Sequence, residues 1–278
     1  MEKIFGRDEI LERLRRNIKE GKPIIGAGCS TGLVAKCAEI GGADLIIVYS
    51  TGLSRHMGLP TTPFGPMDSN KITLSMIDEL LNVAEKTPII GGVDASDPTC
   101  WDLERLLQKY VNAGFSGIIN FPTIAMYDGR WRASREPQGL GWTREVQMIR
   151  TARKMGIFTM AYTYNIEDAK DMAGVPVDVL CAHGGGTRGG FVGFKTDPLE
   201  VSLKTIQGIM EAAREVNPNI ICLAHGGAVA EPEDTKPLYE KTIAQGFVGA
   251  SSMERIPIER AVTDFIQRFK NIPMKKNL

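Results

Sequence analysis

The sequence predicts one (β/α)₈ TIM barrel over residues 1–278, with an N-terminal helix within residues 1–21 that caps one end of the barrel. Eight apolar, strand-like runs alternate with helix-like runs, and no change in composition marks a linker between domains. Two of these runs repeat one pattern, in which a buried strand ends in Ala-His-Gly-Gly, at His183 and again at His225. Because a continuous apolar run is typical of a strand buried on both faces, this pattern favours a parallel sheet covered by helices.

The elements follow one another in a regular order along the chain. Apolar residues at helical spacing, Ile10, Leu11, Leu14 and Ile18, predict the first amphipathic helix, with Asp8 as its cap. Strand-like runs then lie at about 22–31, 44–52, 88–98, 116–123, 157–165, 178–183, 220–225 and 246–255. Helix-like runs lie at about 32–40, 71–86, 100–113, 143–155, 166–173, 199–215 and 257–270, and long loops are predicted at about 53–70 and 123–141.

A doubly wound open sheet is the main alternative fold, and it would carry a dinucleotide fingerprint in its first turn. That turn reads Gly26-Ala-Gly28-Cys-Ser-Thr-Gly32, whose third glycine comes one residue too late for the fingerprint. A dinucleotide site also requires an acidic residue at the end of the second strand, and this chain has none there. The barrel is therefore the preferred fold class.

Composition excludes several classes of partner. Lys plus Arg and Asp plus Glu both number 33, and no basic run is interleaved with aromatic residues, so we expect no nucleic-acid partner. The N-terminus lacks an apolar signal core, and no stretch reaches the roughly 18 to 20 apolar residues of a membrane span. These features predict a cytoplasmic protein with no membrane partner. The five cysteines form no CxxC pair, which predicts reduced thiols.

The chain contains only three histidines, and all of them follow predicted strands on the same face of the barrel. His56 lies in the loop after the second strand, and His183 and His225 end the sixth and seventh strands. Each ring could simply brace its own loop by bonding a neighbouring carbonyl group. Because neighbouring parallel strands bring His183 and His225 into one crevice, where barrels build their active sites, we predict that both are catalytic.

Acidic and hydroxyl residues follow two other strands. Asp94 and Asp97 come after the third strand, where Asp94 suits coordination of a hard divalent cation and Asp97 is expected to cap the next helix. Ser251 and Ser252 follow the eighth strand, in a loop that commonly cradles a phosphate or carboxylate in barrels. We therefore predict that both serines bind substrate, although a plain glycine turn would also explain the segment.

Several further residues on the same face are candidates for the site. Tyr164 is a predicted catalytic residue, because a tyrosine phenol can orient a carbonyl group, whereas one tyrosine of the pair Tyr162 and Tyr164 is expected to fill the core. Arg188 lies in a glycine-rich loop, where it could clamp a substrate carboxylate or remain solvated. Cys29, after the first strand, is either a catalytic thiol or a small residue that fits the turn.

These motifs resemble the phosphoenolpyruvate hydrolase-like TIM-barrel family, which is distantly related to the phosphoenolpyruvate mutase and isocitrate lyase superfamily. In that superfamily a hydroxyl-glycine turn after the second strand contacts the substrate, and aspartates after the third strand hold magnesium or manganese. The resemblance therefore implies substrate contacts for Ser50 and Gly52 and a divalent metal ion at Asp94, with Mn or Mg favoured and Zn as an option. Ser30, in the turn after the first strand, is a further predicted substrate-binding residue. The motifs that carry it span nearly the whole chain: Gly26-Ala-Gly-Cys-Ser-Thr-Gly, Tyr49-Ser-Thr-Gly, Gly91-Gly-Val-Asp-Ala-Ser-Asp-Pro, Asn120-Phe-Pro-Thr, Ala182-His-Gly-Gly-Gly, Ala224-His-Gly-Gly and Gly249-Ala-Ser-Ser-Met-Glu-Arg.

The chain departs from the superfamily pattern at two points. The superfamily has a tighter Asp-x-Asp cluster after the third strand and a glutamate after the fourth, whereas this chain has Asp94-Ala-Ser-Asp97 and Asn120. The metal ion would then be held differently, which makes Glu254 a second predicted metal ligand and leaves the histidines as alternatives.

Two functional hypotheses follow. The first is a divalent-metal-dependent hydrolase or lyase that cleaves a C–C, C–P or C–O bond next to a carbonyl group in a small oxo-acid or β-diketone, with metal-activated water and an enolate-like leaving group. The second is a catalytically silent barrel that senses a small metabolite in signalling. The long loops at 53–70 and 123–141 are predicted to be lids or subunit contacts, and the resemblance implies a homo-oligomer.

Overall fold

Eight parallel strands close into a barrel in the computed structural model, which describes residues 4–61 and 68–275. Each strand pairs with the next along the chain, and the last pairs with the first. This topology confirms the predicted (β/α)₈ barrel, and every strand lies within a segment predicted from the sequence. The strands are β1 (Ile24–Gly28), β2 (Leu45–Val48), β3 (Ile89–Gly92), β4 (Gly117–Ile119), β5 (Phe158–Thr163), β6 (Val179–His183), β7 (Ile221–His225) and β8 (Gly246–Gly249).

Helices surround the barrel, and several were not foreseen. The helix expected at 71–86 is divided at Met76 into two, and the loop expected at 123–141 contains a helix. Phe64, in the other long loop, lies outside the described residues. The helices are α1 (Arg7–Lys19), α2 (Gly32–Ile40), α3 (Gly52–His56), α4 (Ser69–Ser75), α5 (Ile77–Leu81), α6 (Leu103–Ala113), α7 (Gly129–Arg135), α8 (Trp142–Lys154), α9 (Ile166–Ala173), α10 (Leu199–Val216), α11 (Pro232–Lys241), α12 (Ser251–Glu254) and α13 (Ile256–Lys270).

Side chains along each strand alternate between the barrel interior and the surrounding helices, as the two-residue period of a strand requires. On β6, Cys181 belongs to the apolar cluster inside the barrel, whereas Leu180 and Ala182 pack in the cluster between the strands and the helices. His183 continues the interior series, and the strand register pairs it directly with His225 on β7. The sequence repeat therefore places both histidines at the same level, at the carboxyl ends of their strands.

α1 closes the amino end of the barrel. Its buried residues Ile10 and Leu14 belong to the same apolar cluster as Ile24, which begins β1 inside the barrel. Asn17 of the helix donates a hydrogen bond from Nδ2 to Oδ1 of Asp44, just before β2, at 2.6 Å. The predicted capping helix is thus confirmed, and the carboxyl end of the barrel remains as the place for a ligand.

α13 presents an apolar face to solvent. Ile256, its first residue, is its only buried one. Large apolar side chains are exposed along the rest of the helix: Ile258, Val262, Phe265, Ile266 and Phe269. A contiguous exposed apolar face of this kind is typical of a surface that contacts another chain. The homo-oligomer stays a prediction, and the exposed face of α13 is the place where we expect its subunits to meet.

The structure also bears on two predictions made from the composition, which concern membrane spans and disulfide bonds. None of the helices in residues 4–61 and 68–275 combines the length and the apolar character that crossing a membrane requires. All five cysteines are free thiols, as the absence of paired spacings predicts.

Candidate active site

The histidines that end β6 and β7 lie side by side at the carboxyl end of the barrel. The ring centroids of His183 and His225 are 4.4 Å apart, and the rings are inclined by 58°. Both residues are buried, with 7% and 5% of their surface exposed. The ring of Tyr164 stacks on His183 with a centroid distance of 4.1 Å and an interplanar angle of 18°. The structure thus brings three of the predicted catalytic residues together.

Hydrogen bonds assign different tautomers to the two histidines. Nδ1 of His225 lies 2.7 Å from the carbonyl oxygen of Val248, which can only accept, so this nitrogen carries the proton. Nδ1 of His183 accepts a hydrogen bond from the backbone N–H of Gly185 at 3.0 Å, so the proton of the neutral ring lies on Nε2. His225 therefore offers a lone pair at Nε2, and His183 offers an N–H donor at Nε2.

Burial keeps both rings neutral at physiological pH. Desolvation lowers the pKa of His225 to about 4, although the hydrogen bond to the Val248 carbonyl opposes the shift. Desolvation, with a smaller effect of the neighbouring His225, also lowers the pKa of His183 well below its usual range. Because both rings are neutral, His225 can accept a proton at Nε2 while His183 donates a hydrogen bond from Nε2.

Glycine is required in the turn after β7. Gly226 and Gly227 have φ angles of 68° and 62°, in the left-handed region that favours glycine. A β-carbon at either position would collide with a backbone oxygen of the glycine loop after β6, at Gly185 and Gly184 respectively. The backbone N–H of Gly227 donates to the carbonyl of Gly185 at 2.8 Å. The two His-Gly-Gly loops thus pack on each other, which fixes the relative position of the histidines.

A cavity of about 180 Å³ opens beside the histidines. Residues at or after the ends of β2, β4, β5, β6, β7 and β8 contribute to it, as expected for a site at the carboxyl end of a barrel. Besides the histidines, its polar lining consists of Thr51, Arg55, Thr61, Tyr164, Thr187 and Ser251. Its larger apolar and aromatic lining residues are Tyr49, Phe121, Met126 and Phe194.

Arg55 and Glu254 form a buried ion pair at the edge of this cavity, between α3 and α12. Nε of Arg55 donates to Oε2 of Glu254 at 2.6 Å, and Nη1 donates to Oγ1 of Thr51 at 3.0 Å. The second oxygen of Glu254, Oε1, accepts from the backbone N–H of Ser30 at 2.6 Å and lies 2.8 Å from Nε2 of His56. Arg55 and Glu254 are only 4% and 3% exposed.

Both oxygens of Glu254, where the sequence predicts a metal ion, thus have a donor from the chain. Burial alone would raise the pKa of Glu254, but the charge of Arg55 and hydrogen bonds from His56 and Ser30 outweigh burial and lower it. The carboxylate is therefore ionised and already bonded at both oxygens. In this structure Glu254 holds Arg55 in place.

The predicted substrate-binding residues divide into two groups. Ser251 lines the cavity, whereas Ser30, Ser50, Gly52 and Ser252 are absent from its described lining. Gly52 begins α3 so close to Ser30 that a β-carbon at position 52 would collide with the serine side chain. The hydroxyl groups of Ser30 and Ser252 are buried and have no hydrogen-bond partner within the described residues. These residues shape the turns around the Arg55–Glu254 pair.

Arg188 is held away from the cavity. Nη2 donates to both carboxylate oxygens of Asp234 at 2.8 Å, and Nε donates to the carbonyl of Ala228 at 2.7 Å. The side chain ties the glycine loop after β6 to the first turn of α11. The substrate clamp that the glycine-rich loop suggested for Arg188 stays a prediction.

Cys29 does not line the cavity either. It is fully buried, and Sγ lies 3.4 Å from the carbonyl oxygen of Ala27. Burial, reinforced by the negative charge of Glu254, raises the pKa of the thiol well above its ordinary value. Because the thiolate is the nucleophilic form, this environment does not fit the catalytic role predicted for Cys29 and agrees with a small residue fitting a turn.

Asp94 lies at the end of β3, as predicted, but outside the described lining of the cavity. Its Oδ1 accepts hydrogen bonds from the backbone N–H and the hydroxyl of Ser96 at 2.9 and 2.6 Å. Burial raises the pKa of Asp94, although these hydrogen bonds oppose the shift. No cluster of three or more His, Cys, Asp or Glu side chains suited to a metal ion occurs in residues 4–61 and 68–275.

The expectation that Asp97 caps a helix is wrong. Oδ1 of Asp97 accepts from the backbone N–H of Thr99 at 2.7 Å, and Oδ2 accepts from Nδ2 of Asn70 at 3.0 Å. The cap of α6 is Asp102, which accepts from the backbone N–H of Arg105. Asp97 instead joins the loop after β3 to α4.

Arg55 is the charged residue of the cavity lining that sequence reasoning missed. The neighbouring His56 drew attention because histidines are rare in this chain, whereas arginine is common. A signal was nevertheless present, since Thr51 and Arg55 are four residues apart just after a strand, which places them on one face of a short helix. The hydrogen bond between their side chains is the result.

Solved structures of other proteins share this fold. Phosphoenolpyruvate phosphomutase from Streptomyces platensis subsp. rosaceus matches with a TM-score of 0.61 and 15% sequence identity, over 94% of this chain and 88% of that chain. Phosphonopyruvate hydrolase, solved in complex with oxalate and Mg²⁺, matches with a TM-score of 0.60 and 15% identity, over 94% of this chain and 87% of that chain. At these identities the likeness concerns the fold alone.

Sequence similarity identifies the family. The ToMV resistance protein Tm-1(GCR237) of Solanum lycopersicum is 40% identical over 275 residues, which are 97% of this chain and 36% of that protein. The chain thus spans little more than a third of the length of this relative. The model of the phosphoenolpyruvate hydrolase-like family matches residues 9–272. The chain therefore belongs to the phosphoenolpyruvate hydrolase-like family.

Proposed function

We propose that this chain cleaves a carbon–carbon bond next to a carbonyl group in a small oxo-acid or β-diketone, as a hydrolase or lyase. The observation that carries the proposal is the pair of neutral histidines with complementary tautomers, His183 and His225, beside a cavity. Such a cleavage needs a base for the attacking water and a donor for the carbonyl oxygen. The fold is shared with phosphonopyruvate hydrolase, whose name describes a hydrolase of a small oxo-acid, and this supports the hydrolase class but not the choice of bond.

The tautomers assign a role to each ring. Nε2 of His225 takes a proton from water as the oxygen attacks the carbonyl carbon, and Nε2–H of His183 donates to the carbonyl oxygen, where negative charge develops. The carbon–carbon bond then breaks, and its electron pair forms the enolate of the second carbonyl group. Protonated His225 returns its proton to the enolate carbon. One water is consumed; a β-diketone gives a carboxylic acid and a ketone, and a β-oxo-acid gives two carboxylic acids.

Two further residues would orient the substrate. Nη2 of Arg55 makes no hydrogen bond with any described residue, so it can donate to the carboxylate of an oxo-acid. The hydroxyl group of Tyr164 is buried without a partner among the described residues. Burial raises the pKa of Tyr164 well above its ordinary value, so the hydroxyl stays protonated and can donate to a substrate oxygen.

The predicted divalent cation finds no suitable set of ligands among the residues that line the cavity. Mg²⁺ and Mn²⁺ favour carboxylate oxygens, but the lining contains no carboxylate, and both oxygens of the nearby Glu254 are bonded to donors. Two histidines fall short of the three protein ligands that a catalytic zinc site commonly has. The steps above therefore use only side chains of this chain. Asp94 remains the residue at which the metal prediction can be tested.

Turnover assays on matched variants test the proposal. We expect the protein to cleave members of a panel of β-diketones and β-oxo-acids, with His183→Asn and His225→Asn each lowering kcat by about 10²- to 10⁴-fold. Cys29→Ala is the control, because Cys29 is buried but lies outside the cavity, and it should retain turnover. Full activity of both histidine variants would contradict the proposal. Binding without turnover in the wild type would favour the metabolite-sensing barrel instead.

A further inference from the structure

Building on the proposed function, we propose that the site accepts a substrate with no more than one negative charge, and that Glu254 sets this limit by offsetting the charge of Arg55. Glu254 is thereby a specificity-determining residue that acts through Arg55. The proposal rests on the charge balance around the cavity, since Arg55 is the one cationic side chain in its described lining, and on the apolar surface formed by Tyr49, Phe121, Met126 and Phe194.

The positive charge available to a ligand is small. Arg55 is the only Lys or Arg in the described lining of the cavity, and His183 and His225 are neutral. The six residues between the two described segments read Thr-Pro-Phe-Gly-Pro-Met, so they contain no ionisable side chain. Arg188, the cation that the sequence placed near a substrate, is paired with Asp234. A bound anion therefore meets one guanidinium group.

Glu254 already offsets much of that charge. Its Oε2 lies 2.6 Å from Nε of Arg55, both side chains are buried, and the carboxylate is ionised. Nη1 of Arg55 is bonded to Thr51, which leaves Nη2 as the guanidinium nitrogen without a partner among the described residues. One nitrogen, helped by the hydroxyl of Ser251 in the lining, suits a single carboxylate or a neutral carbonyl oxygen.

The remaining lining would leave a second charge unpaired. Tyr49 and Phe121 pack together with ring centroids 4.4 Å apart, and Met126 and Phe194 extend this apolar surface. Phe194 lies so close to Gly186 that a β-carbon at position 186 would collide with the aromatic ring. A second carboxylate or a phosphoryl group would lose its hydration against these groups without gaining a cation. The apolar surface instead suits a hydrocarbon substituent of the substrate.

The substrate class follows from these features. Phosphoryl compounds and dicarboxylates carry two or more charges and are disfavoured. Monocarboxylic oxo-acids and neutral β-diketones with an apolar substituent are favoured. The selectivity thus differs from what the family description, with its reference to phosphoenolpyruvate, would suggest.

Three planar ligands of nearly the same shape separate the charge from other effects. Oxamide is neutral, oxamate carries one negative charge and oxalate carries two. We expect calorimetric titration of the wild type to show oxamate binding at least about tenfold more tightly than oxalate, because the second charge of oxalate is desolvated without a partner. Equal or tighter binding of oxalate, or no binding of any of the three, would overturn the proposal.

The variant Glu254→Gln tests the role of the carboxylate. Glutamine keeps a hydrogen-bond acceptor for Arg55 but removes the negative charge, so binding should tighten about tenfold for each charge on the ligand. Oxamide should be unaffected, and the preference for oxamate over oxalate should shrink by about tenfold. An unchanged ratio of the two affinities in a folded variant would refute the role of Glu254.

A second variant covers the case in which Glu254→Gln does not fold. The double variant Arg55→Met, Glu254→Leu replaces the buried ion pair by apolar residues, a change that proteins often tolerate. It should bind oxamate no better than oxamide, whereas retained preference for oxamate would overturn the assignment of the anion site. These titrations do not depend on turnover. If the expected affinities are found but no carbonyl compound is cleaved, the proposed function fails and the charge selectivity stands.

Discussion

The substitution His225→Asn separates the proposed catalytic role of this ring from its structural role. The amide nitrogen of asparagine can take the place of Nδ1 and donate to the carbonyl of Val248, which His225 contacts at 2.7 Å. The lone pair at Nε2, the proposed base, is lost. We therefore expect a folded protein whose kcat is lower by about 10²- to 10⁴-fold, the usual contribution of a general base.

The same variant should change the response of stability to acid. The pKa of His225 is about 4 in the folded protein and 6.5 ordinarily, a difference that corresponds to about 3 kcal/mol. Between these two values the unfolded chain binds a proton that the folded chain does not. Stability from this residue is therefore fully present above pH 6.5 and is lost as the pH falls towards 4, by about 2 kcal/mol at pH 5.

Urea unfolding at pH 7.5 and at pH 5 measures this effect. The wild type should lose about 2 kcal/mol more than His225→Asn between the two pH values, because the variant lacks the titrating ring. The comparison at pH 7.5 serves as the internal control for lost packing. If the two proteins lose equal stability on acidification, or if the variant retains full turnover, His225 is not a buried neutral base.

Three further predictions concern residues whose sequence-based roles the structure questions or leaves untested. Arg188→Ala should lower the free energy of unfolding by about 1 to 2 kcal/mol and leave KM within about twofold, because Arg188 bonds Asp234 and Ala228 and does not line the cavity; a tenfold rise in KM would restore the substrate clamp. After dialysis against Mg²⁺ or Mn²⁺, elemental analysis should show less bound metal in Asp94→Asn than in the wild type. The amount in Glu254→Gln should equal that in the wild type, since both oxygens of Glu254 are bonded to donors. The opposite pattern would make Glu254 the ligand. Light scattering should show a homo-oligomer that the double variant Phe265→Ser, Phe269→Ser converts to monomers, because both rings are exposed on α13; a monomeric wild type would refute this.

The barrel could be predicted because its evidence is local and repeated. Each strand is a short apolar run that ends near glycine or a polar residue. This pattern can be recognised in the sequence without knowledge of tertiary contacts. The Ala-His-Gly-Gly repeat also predicted the position of the histidine pair, since a two-residue period fixes which strand residues face the interior. α11 was missed, although Pro232 at its start and Asp234 in a capping box were helix signals.

The tautomers of the two histidines could not be read from the sequence. The partner of His225 is the backbone carbonyl of Val248, and every residue has such a carbonyl. The partner of His183 is the backbone N–H of Gly185, and nearly every residue has such an N–H, so the sequence does not identify this partner either. Two copies of one motif therefore acquire complementary roles because the backbone around them differs, even though the motifs themselves match.

Glu254 illustrates why the polar part of a site resists prediction more than its location does. A carboxylate after a barrel strand can bind a cation from solution or a cation of its own chain, and the sequence around Glu254 is compatible with both. The choice depends on Arg55, which is 199 residues away in the chain and lies within 2.6 Å in space. Once that pair forms, burial strengthens it and each partner alters what the other can bind. The residue expected to supply a metal site thus becomes the residue that limits the charge of the substrate.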